Sequence, residues 1–151
     1  MNLKLKVLLD RKGNIIHSVS PDATIKKAVG ILNRFHIGAL IILNFDGMIE
    51  GIITERDVMQ KLAKTDGLVG HLPVKSIMTP KEKLVIGKED QTIEELMNLM
   101  TMKKIRHIPL VSKDDILLGI ISIRDIIKIL LEDSTQKVKQ LSNYIMGNYP
   151  M

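Results

Sequence analysis

The chain has 151 residues, of which 45% are apolar and 26% carry a charge, with a formal net charge of +5 at pH 7. This is enough apolar material for one compact, two-lobed unit, and no apolar run approaches the roughly 20 residues that cross a bilayer. The sequence contains no cysteine, which excludes disulfides and thiolate chemistry and favours a cytoplasmic location.

The first nine residues, Met-Asn-Leu-Lys-Leu-Lys-Val-Leu-Leu, are basic and apolar. Their apolar core is too short for a signal peptide, and no small-residue cleavage site follows it. We therefore expect residues 1–13 to form an edge strand or an arm ahead of the folded unit.

Residues 14–64 carry the signals of a β-α-β-β-α unit. A strand over roughly 15–19 precedes a helix that opens near Pro21-Asp22, where apolar side chains recur at helical spacing. Strands over about 39–43 and 48–53 flank Asn44-Phe45-Asp46-Gly47, and Asp-Gly between apolar runs is a strong hairpin signal. A second helix begins at Thr54, and we expect three of its apolar side chains to face inward, namely Val58, Met59 and Leu62.

The same order returns 68 residues later. Gly-Ile-Ile-Thr-Glu-Arg-Asp at 51–57 falls on Gly-Ile-Ile-Ser-Ile-Arg-Asp at 119–125. After a linker over 65–81, a second unit is predicted over 82–132, with strands near 84–86, 107–111 and 116–121 and helices from Thr92 and Ser122. A long period that occurs only twice indicates a face-to-face pair and not a solenoid. The predicted fold class is α/β (α+β), with two β-α-β-β-α repeats related by pseudo-two-fold symmetry.

The tail over 133–151 predicts a further helix with one apolar stripe and with Gly147 as its C-cap. The stripe consists of Val138, Leu141, Ile145 and Met146. No later segment remains to cover these side chains, so we expect the helix to pack on its own unit or on a partner.

The repeated motif has two compatible interpretations. Thr54-x-x-Asp57 and Ser122-x-x-Asp125 have the form of capping boxes, which stabilise a helix N-terminus by about 1 kcal/mol. Capping does not require the arginines that also repeat, Arg56 and Arg124. A hydroxyl, a guanidinium and a carboxylate at a helix N-terminus suit a nucleotide, because the carboxylate accepts from ribose and the cation receives phosphate.

These features together resemble a tandem pair of CBS domains. The resemblance rests on the two Gly-x-x-[Ser/Thr]-x-x-Asp motifs, on Ser18-Val-Ser-Pro-Asp-Ala-Thr24, on Ile105-Arg-His-Ile-Pro-Leu-Val111, and on Ser76-Ile-Met-Thr-Pro80 before the second repeat. It covers residues 14–132 and implies that the motif aspartates bind ribose. It also implies phosphate contacts at Arg106 and His107, and an adenosine contact at Ser18.

The resemblance also implies that the two copies are unequal. The first repeat presents Gly38-Ala39 where the second has Arg106-His107, and the second has Ile86 where the first has Ser18. We expect two sites of different affinity. One ligand can take its carboxylate from one repeat and its phosphate donors from the other, and the sequence leaves that pairing open.

Other functional classes find little support. The basic residues are scattered, close to clusters only at Lys81-Glu82-Lys83 and Lys103-Lys104, and aromatic stacking residues are scarce, which argues against nucleic-acid binding. The four histidines lack metal-ligand spacing. There is no P-loop, dinucleotide-binding glycine pattern or nucleophile elbow, so we expect no catalysis.

The sequence thus predicts a regulatory CBS pair that binds AMP, ADP or ATP between its repeats and modulates an unidentified protein, without a required cofactor or metal. CBS pairs associate into flat dimers, so the resemblance also implies a homodimer. The alternatives are a structural or protein-interaction module without nucleotide, a binder of nucleic acid or an S-adenosyl ligand, and, last, an enzyme.

Overall fold

The computed structural model describes residues 3–13 and 15–147. It begins with helix α1 (Leu5–Lys12), so the expectation of an edge strand is wrong. Leu5, Leu8 and Leu9 are buried in the core of the second repeat. Their spacing of three and four residues places them on one helical face, whereas a strand would divide them between two faces.

The first repeat follows the predicted order. Strand β1 (Ser18–Val19), helix α2 (Ile25–Phe35), strands β2 (Ala39–Leu43) and β3 (Ile49–Thr54), and helix α3 (Glu55–Lys64) succeed one another. Strand β1 pairs in parallel with β2, and β2 pairs antiparallel with β3.

The predicted linker adds a fourth strand, β4 (Thr79–Pro80), antiparallel to β3. Its close approach requires glycine at position 51, because a Cβ atom there would clash with the carbonyl oxygen of Thr79. The sheet order is therefore β1-β2-β3-β4.

The second repeat contains strand β5 (Gly87–Lys88), helix α4 (Ile93–Lys103), strands β6 (His107–Val111) and β7 (Leu117–Ser122), and helix α5 (Ile123–Ile145). Its three-stranded sheet has the order β5-β6-β7 and repeats the parallel and antiparallel pairing of the first. The register shifts after Ile42 in β2 and after Leu110 in β6, which are equivalent positions. The strand predicted over 84–86 begins three residues later, and Leu84 and Ile86 instead pack between the repeats.

Three apolar clusters hold the described part of the chain together. One lies within each repeat, and the third joins Ile41 and Ile49 of the first repeat to Val111 of the second. The repeats therefore face each other across their sheets, which confirms the predicted paired fold.

Helices α3 and α5 leave apolar side chains in solvent. Val58 is half-buried, but Met59 and Leu62 are 64% and 54% exposed, so the expectation that they face inward is wrong. On α5 the equivalent of Met59, Ile127, is 50% exposed.

The predicted C-terminal helix is present as a continuation of α5, and Gly147 beyond it has a left-handed φ of 69°. Its stripe does not pack on its own repeat, because the four side chains are 61–81% exposed, namely Val138, Leu141, Ile145 and Met146. In the part of the chain that the structure describes, no helix combines the length and apolar character needed to span a membrane.

Candidate functional site

A first cavity, of about 330 Å³, lies where the N-terminus of α3 faces the second repeat. Thr54, Arg56 and Asp57 line it from the first repeat. Arg106 and His107 line it from the second. The structure thus brings a motif carboxylate of one repeat together with the predicted phosphate donors of the other.

A second cavity, of about 450 Å³, lies at the N-terminus of α5 and is lined by Ser122, Arg124 and Asp125. The 68-residue shift relates the two linings, so they are two pseudo-equivalent sites. The corresponding positions are Ile52 and Ile120, Thr54 and Ser122, Glu55 and Ile123, Arg56 and Arg124, Asp57 and Asp125, Lys83 and Ile15, Val85 and His17, Lys104 and His36, Ile105 and Ile37, Arg106 and Gly38, and His107 and Ala39.

Each motif aspartate caps its helix with a single carboxylate oxygen. Asp57 Oδ2 accepts from the Thr54 backbone N–H at 2.8 Å and from its hydroxyl at 3.0 Å, and Asp57 N–H donates to Thr54 Oγ1 at 3.3 Å. Asp125 and Ser122 repeat this arrangement at 2.8, 2.9 and 3.3 Å. Within the described residues neither Oδ1 has a hydrogen-bond partner, so capping leaves one acceptor of each carboxylate for a ligand.

The two carboxyl groups differ in their electrostatic surroundings. Burial raises the pKa of Asp57, and the hydrogen bonds from Thr54 and the charge of Arg56 offset this only in part. Burial also acts to raise the pKa of Asp125, but Lys12 and Ser122 outweigh it and hold that pKa below the usual value. The cause is a direct ion pair, in which Lys12 Nζ lies 2.7 Å from Asp125 Oδ2.

His107 lies at the boundary between the cavities and lines both of them, as does Arg106. Its ring approaches Gly38 so closely that a Cβ added at Gly38 would lie 3.0 Å from Cε1 and 3.1 Å from Nε2 of His107. The same Cβ would lie 3.4 Å from Glu55 Oε2. Burial and the adjacent Arg106 charge lower the pKa of His107, against an opposing effect of Glu55.

The first cavity is the more basic of the two. Two acidic side chains, Glu55 and Asp57, face five basic ones, namely Arg56, Lys83, Lys103, Lys104 and Arg106. In the second cavity Glu55 and Asp125 face only Lys12, Arg106 and Arg124. The first cavity therefore attracts anions more strongly.

Eight of the nine predicted ligand-binding residues line a cavity. Ser18 is the exception, because its exposed side chain on β1 lines neither of these two cavities. Sequence reasoning missed Lys83 and His17, although the 68-residue shift relates them to Ile15 and Val85, which line the other cavity. It also missed Lys12, which has Pro80 as its counterpart and so carries no signal from the repeat.

In the described residues, no group of three or more His, Asp or Glu side chains is placed to hold a metal ion. The arrangement instead offers carboxylate acceptors, helix N-termini and cations around two clefts between paired repeats.

Comparison with known proteins identifies the class. The family model for the CBS domain matches residues 13–64 and again residues 74–132. The chain therefore belongs to the CBS-domain family and carries two copies of the domain. It is 32% identical over 130 residues to the mitochondrial CBS domain-containing protein CBSX3 of Arabidopsis thaliana. That match includes 85% of this chain but spans only 63% of the Arabidopsis protein.

Solved structures agree with this assignment. A CBS-domain-containing protein from Agrobacterium tumefaciens superposes with a TM-score of 0.79 at 37% identity, covering 85% of this chain and 93% of that one. A CBS domain protein from Pyrobaculum aerophilum, complexed with AMP, superposes with a TM-score of 0.72 at 25% identity, covering 88% and 99%.

Proposed function

We propose that this chain is a regulatory, ligand-sensing CBS pair that binds an adenine nucleotide (AMP, ADP or ATP) between its repeats and modulates a partner protein. One observation carries the proposal: each motif aspartate lines a cavity with basic side chains and caps its helix through Oδ2, while its Oδ1 has no hydrogen-bond partner in the described residues. A carboxylate oxygen accepts from the ribose diol, and guanidinium groups together with a helix N-terminus receive phosphate.

The proposed contacts divide between the two cavities. In the first, Thr54 and Asp57 hold the ribose, while Arg56, Arg106 and His107 face the phosphate. In the second, Ser122, Arg124 and Asp125 have the equivalent roles. The AMP complex of the Pyrobaculum protein supports an adenosine phosphate as the ligand class.

The proposed role is regulatory and not catalytic, and it requires no cofactor. We also propose a cytoplasmic location, which rests on the absence of cysteine.

A homodimer is part of the proposal. The exposed apolar side chains of α3 and α5 support it, since Met59, Leu62, Ile127 and Leu131 are 50–64% exposed and burial across a two-fold axis would remove them from water. The same surface supports the second candidate function, a protein-interaction module that works without nucleotide.

Calorimetry with adenosine, AMP, ADP and ATP at low and high salt separates these functions. We expect AMP to bind more tightly than adenosine, with an advantage that shrinks as salt screens the phosphate contacts. Arg106→Met should reduce that advantage by about tenfold or more, the worth of a charged hydrogen bond.

Arg34→Met is the matched control, because Arg34 lies over the Phe35 ring and lines neither cavity. Its AMP affinity should equal that of the native chain. If no adenosine ligand binds to the native protein, the interaction module becomes the better account.

A further inference from the structure

Lys12, the last residue of α1, reaches into the second cavity. Its Nζ donates to Asp125 Oδ2 at 2.7 Å and to the carbonyl oxygen of Ile120 at 2.5 Å. The side chains of this ion pair are only 32% and 22% exposed. An ammonium group thus stands against the carboxylate that the proposed function assigns to ribose.

Packing fixes the position of this lysine. Leu5, Leu8 and Leu9 bury one face of α1 in the second repeat. The backbone N–H of Leu5 also donates to the carbonyl oxygen of Gln91 at 3.1 Å. Lys12 is therefore held by a docked helix and is not a free surface lysine.

The first cavity has no such arrangement. The position equivalent to Lys12 is Pro80 in β4. In the described chain no cationic side chain hydrogen-bonds to Asp57, and its Oδ2 accepts hydrogen bonds only from Thr54. Arg56 acts on Asp57 through its charge alone. The two cavities therefore differ at the carboxylate itself.

We propose that Lys12 determines the ligand specificity of the second cavity and makes it select anionic over neutral adenosyl ligands. This inference rests on the proposed function of the motif aspartates. A ribose hydroxyl that donates to the free Oδ1 of Asp125 draws negative charge away from Oδ2, where the ammonium group of Lys12 is bound, and so weakens the ion pair. A neutral nucleoside gives the Lys12 ammonium group no anionic partner in place of Asp125, whereas a phosphorylated ligand supplies a new anionic acceptor.

The arginines of this cavity cannot produce the same selection. Arg106 and Arg124 can attract phosphate, but neither is hydrogen-bonded to Asp125, so neither penalises a nucleoside. Loss of an arginine should weaken AMP alone. Loss of Lys12 should change the two affinities in opposite directions.

Isoleucine methyl NMR on the full chain can measure each cavity separately, because Ile52 lines only the first and Ile120 only the second. The native protein and Lys12→Met would each be titrated with adenosine and with AMP. At Ile120, Lys12→Met should bind adenosine more tightly and AMP more weakly, so that the preference for AMP falls by about tenfold or more. The affinities measured at Ile52 should not change.

Two further variants sharpen the test. Lys12→Arg keeps the charge and should keep the preference. Arg11→Met is the matched control, because Arg11 lies on the same helix and pairs with Glu132 at 3.4 Å outside the cavity. If Arg11→Met reproduces the effect, docking of α1 is responsible and the specificity role is wrong.

Unchanged or equally weakened affinities in Lys12→Met would also overturn the inference while leaving the proposed function standing. Absence of adenosine and AMP binding at both reporters of the native protein would instead overturn the two together.

Discussion

At the scale of single residues, the two carboxylate oxygens of Asp57 have different roles. One oxygen closes the capping box with Thr54, and the other has no partner within the described residues. Asparagine at this position tests the two roles separately. Its amide oxygen can still accept the capping hydrogen bonds, whereas its NH₂ group stands where Oδ1 was and cannot accept a hydrogen bond from ribose.

We therefore predict that Asp57→Asn folds but loses adenosine affinity in the first cavity. The expected loss is about 1.5 to 3 kcal/mol, roughly 10- to 150-fold, because a charged hydrogen bond to the ribose is removed. Calorimetry measures the affinity, and urea unfolding measures the stability.

Glu95→Gln supplies the control. Glu95 closes the capping box of α4 with Thr92 in the same way, and it lines neither cavity. Its stability should change as little as that of Asp57→Asn, while its affinity stays native. Native affinity in Asp57→Asn would reduce the role of the aspartate to capping.

His107 provides a prediction on pH. Its pKa in the folded state lies below the usual value of 6.5, so between these two values the unfolded chain binds more protons and stability rises with pH. This contribution is present above pH 6.5 and is lost as pH falls towards the folded pKa. Urea unfolding from about pH 7.5 to 5.5 should show a smaller loss of stability in His107→Gln than in the native protein. Identical pH profiles would show that His107 does not cause the pH dependence.

At the scale of elements, the junction of β3 with β4 depends on the missing side chain of Gly51. Gly51→Ala would place a Cβ against the carbonyl oxygen of Thr79 and close to the Met78 side chain. We predict a loss of about 1 to 3 kcal/mol in the free energy of unfolding, since the backbone must shift.

The matched substitution is Gly30→Ala in α2, where a Cβ meets no atom within 4 Å. It should stabilise the protein by about 0.5 to 1 kcal/mol, because alanine favours a helix interior. Equal changes in the free energy of unfolding for the two variants would show that β4 can move to accommodate the new methyl group without loss of stability.

The elements predicted best are those whose local sequence pattern is compatible with only one secondary structure. Strand β6 follows the predicted bounds, and helices α4 and α5 begin directly after Thr92 and Ser122. The elements predicted worst depend on a distant partner. The leucines of α1 have helical spacing, but the surface that covers them belongs to the second repeat. Met59 faces solvent because only one face of α3 packs on the sheet. The apolar pattern alone does not identify which face that is.

The site was predictable to the extent that the repeat encodes it. The shift of 68 residues locates both motifs, and the structure places each of them across from the opposite repeat. Ser18 was selected through the resemblance to the family and lies outside both cavities. Lys12 was not predictable, because its approach to Asp125 depends on how α1 docks.

At the scale of the whole molecule, the uncovered faces of α3 and α5 lead to a prediction on assembly. We expect the chain to be a dimer that truncation after Asp133 weakens, since the stripe of Val138, Leu141 and Ile145 is then removed. Each fully buried apolar side chain contributes about 1.5 to 3 kcal/mol, so the dissociation constant should rise by at least about tenfold.

Light scattering over a range of concentrations measures this constant, and a chain that ends at Gly147 is the control. An unchanged constant after truncation would confine the contact to the surface around Met59 and Ile127. A monomeric native chain would reject the dimer.

Helix α5 runs without a break from the second cavity to the exposed stripe. It begins directly after Ser122, whose hydroxyl meets the Asp125 backbone at the cavity, and it continues for 23 residues to Ile145. Such a helix is about 34 Å long, so a rotation of about 5° around its first turn displaces its last turn by about 3 Å. A rotation of this size at Asp125 would therefore displace the exposed stripe by about the diameter of an atom.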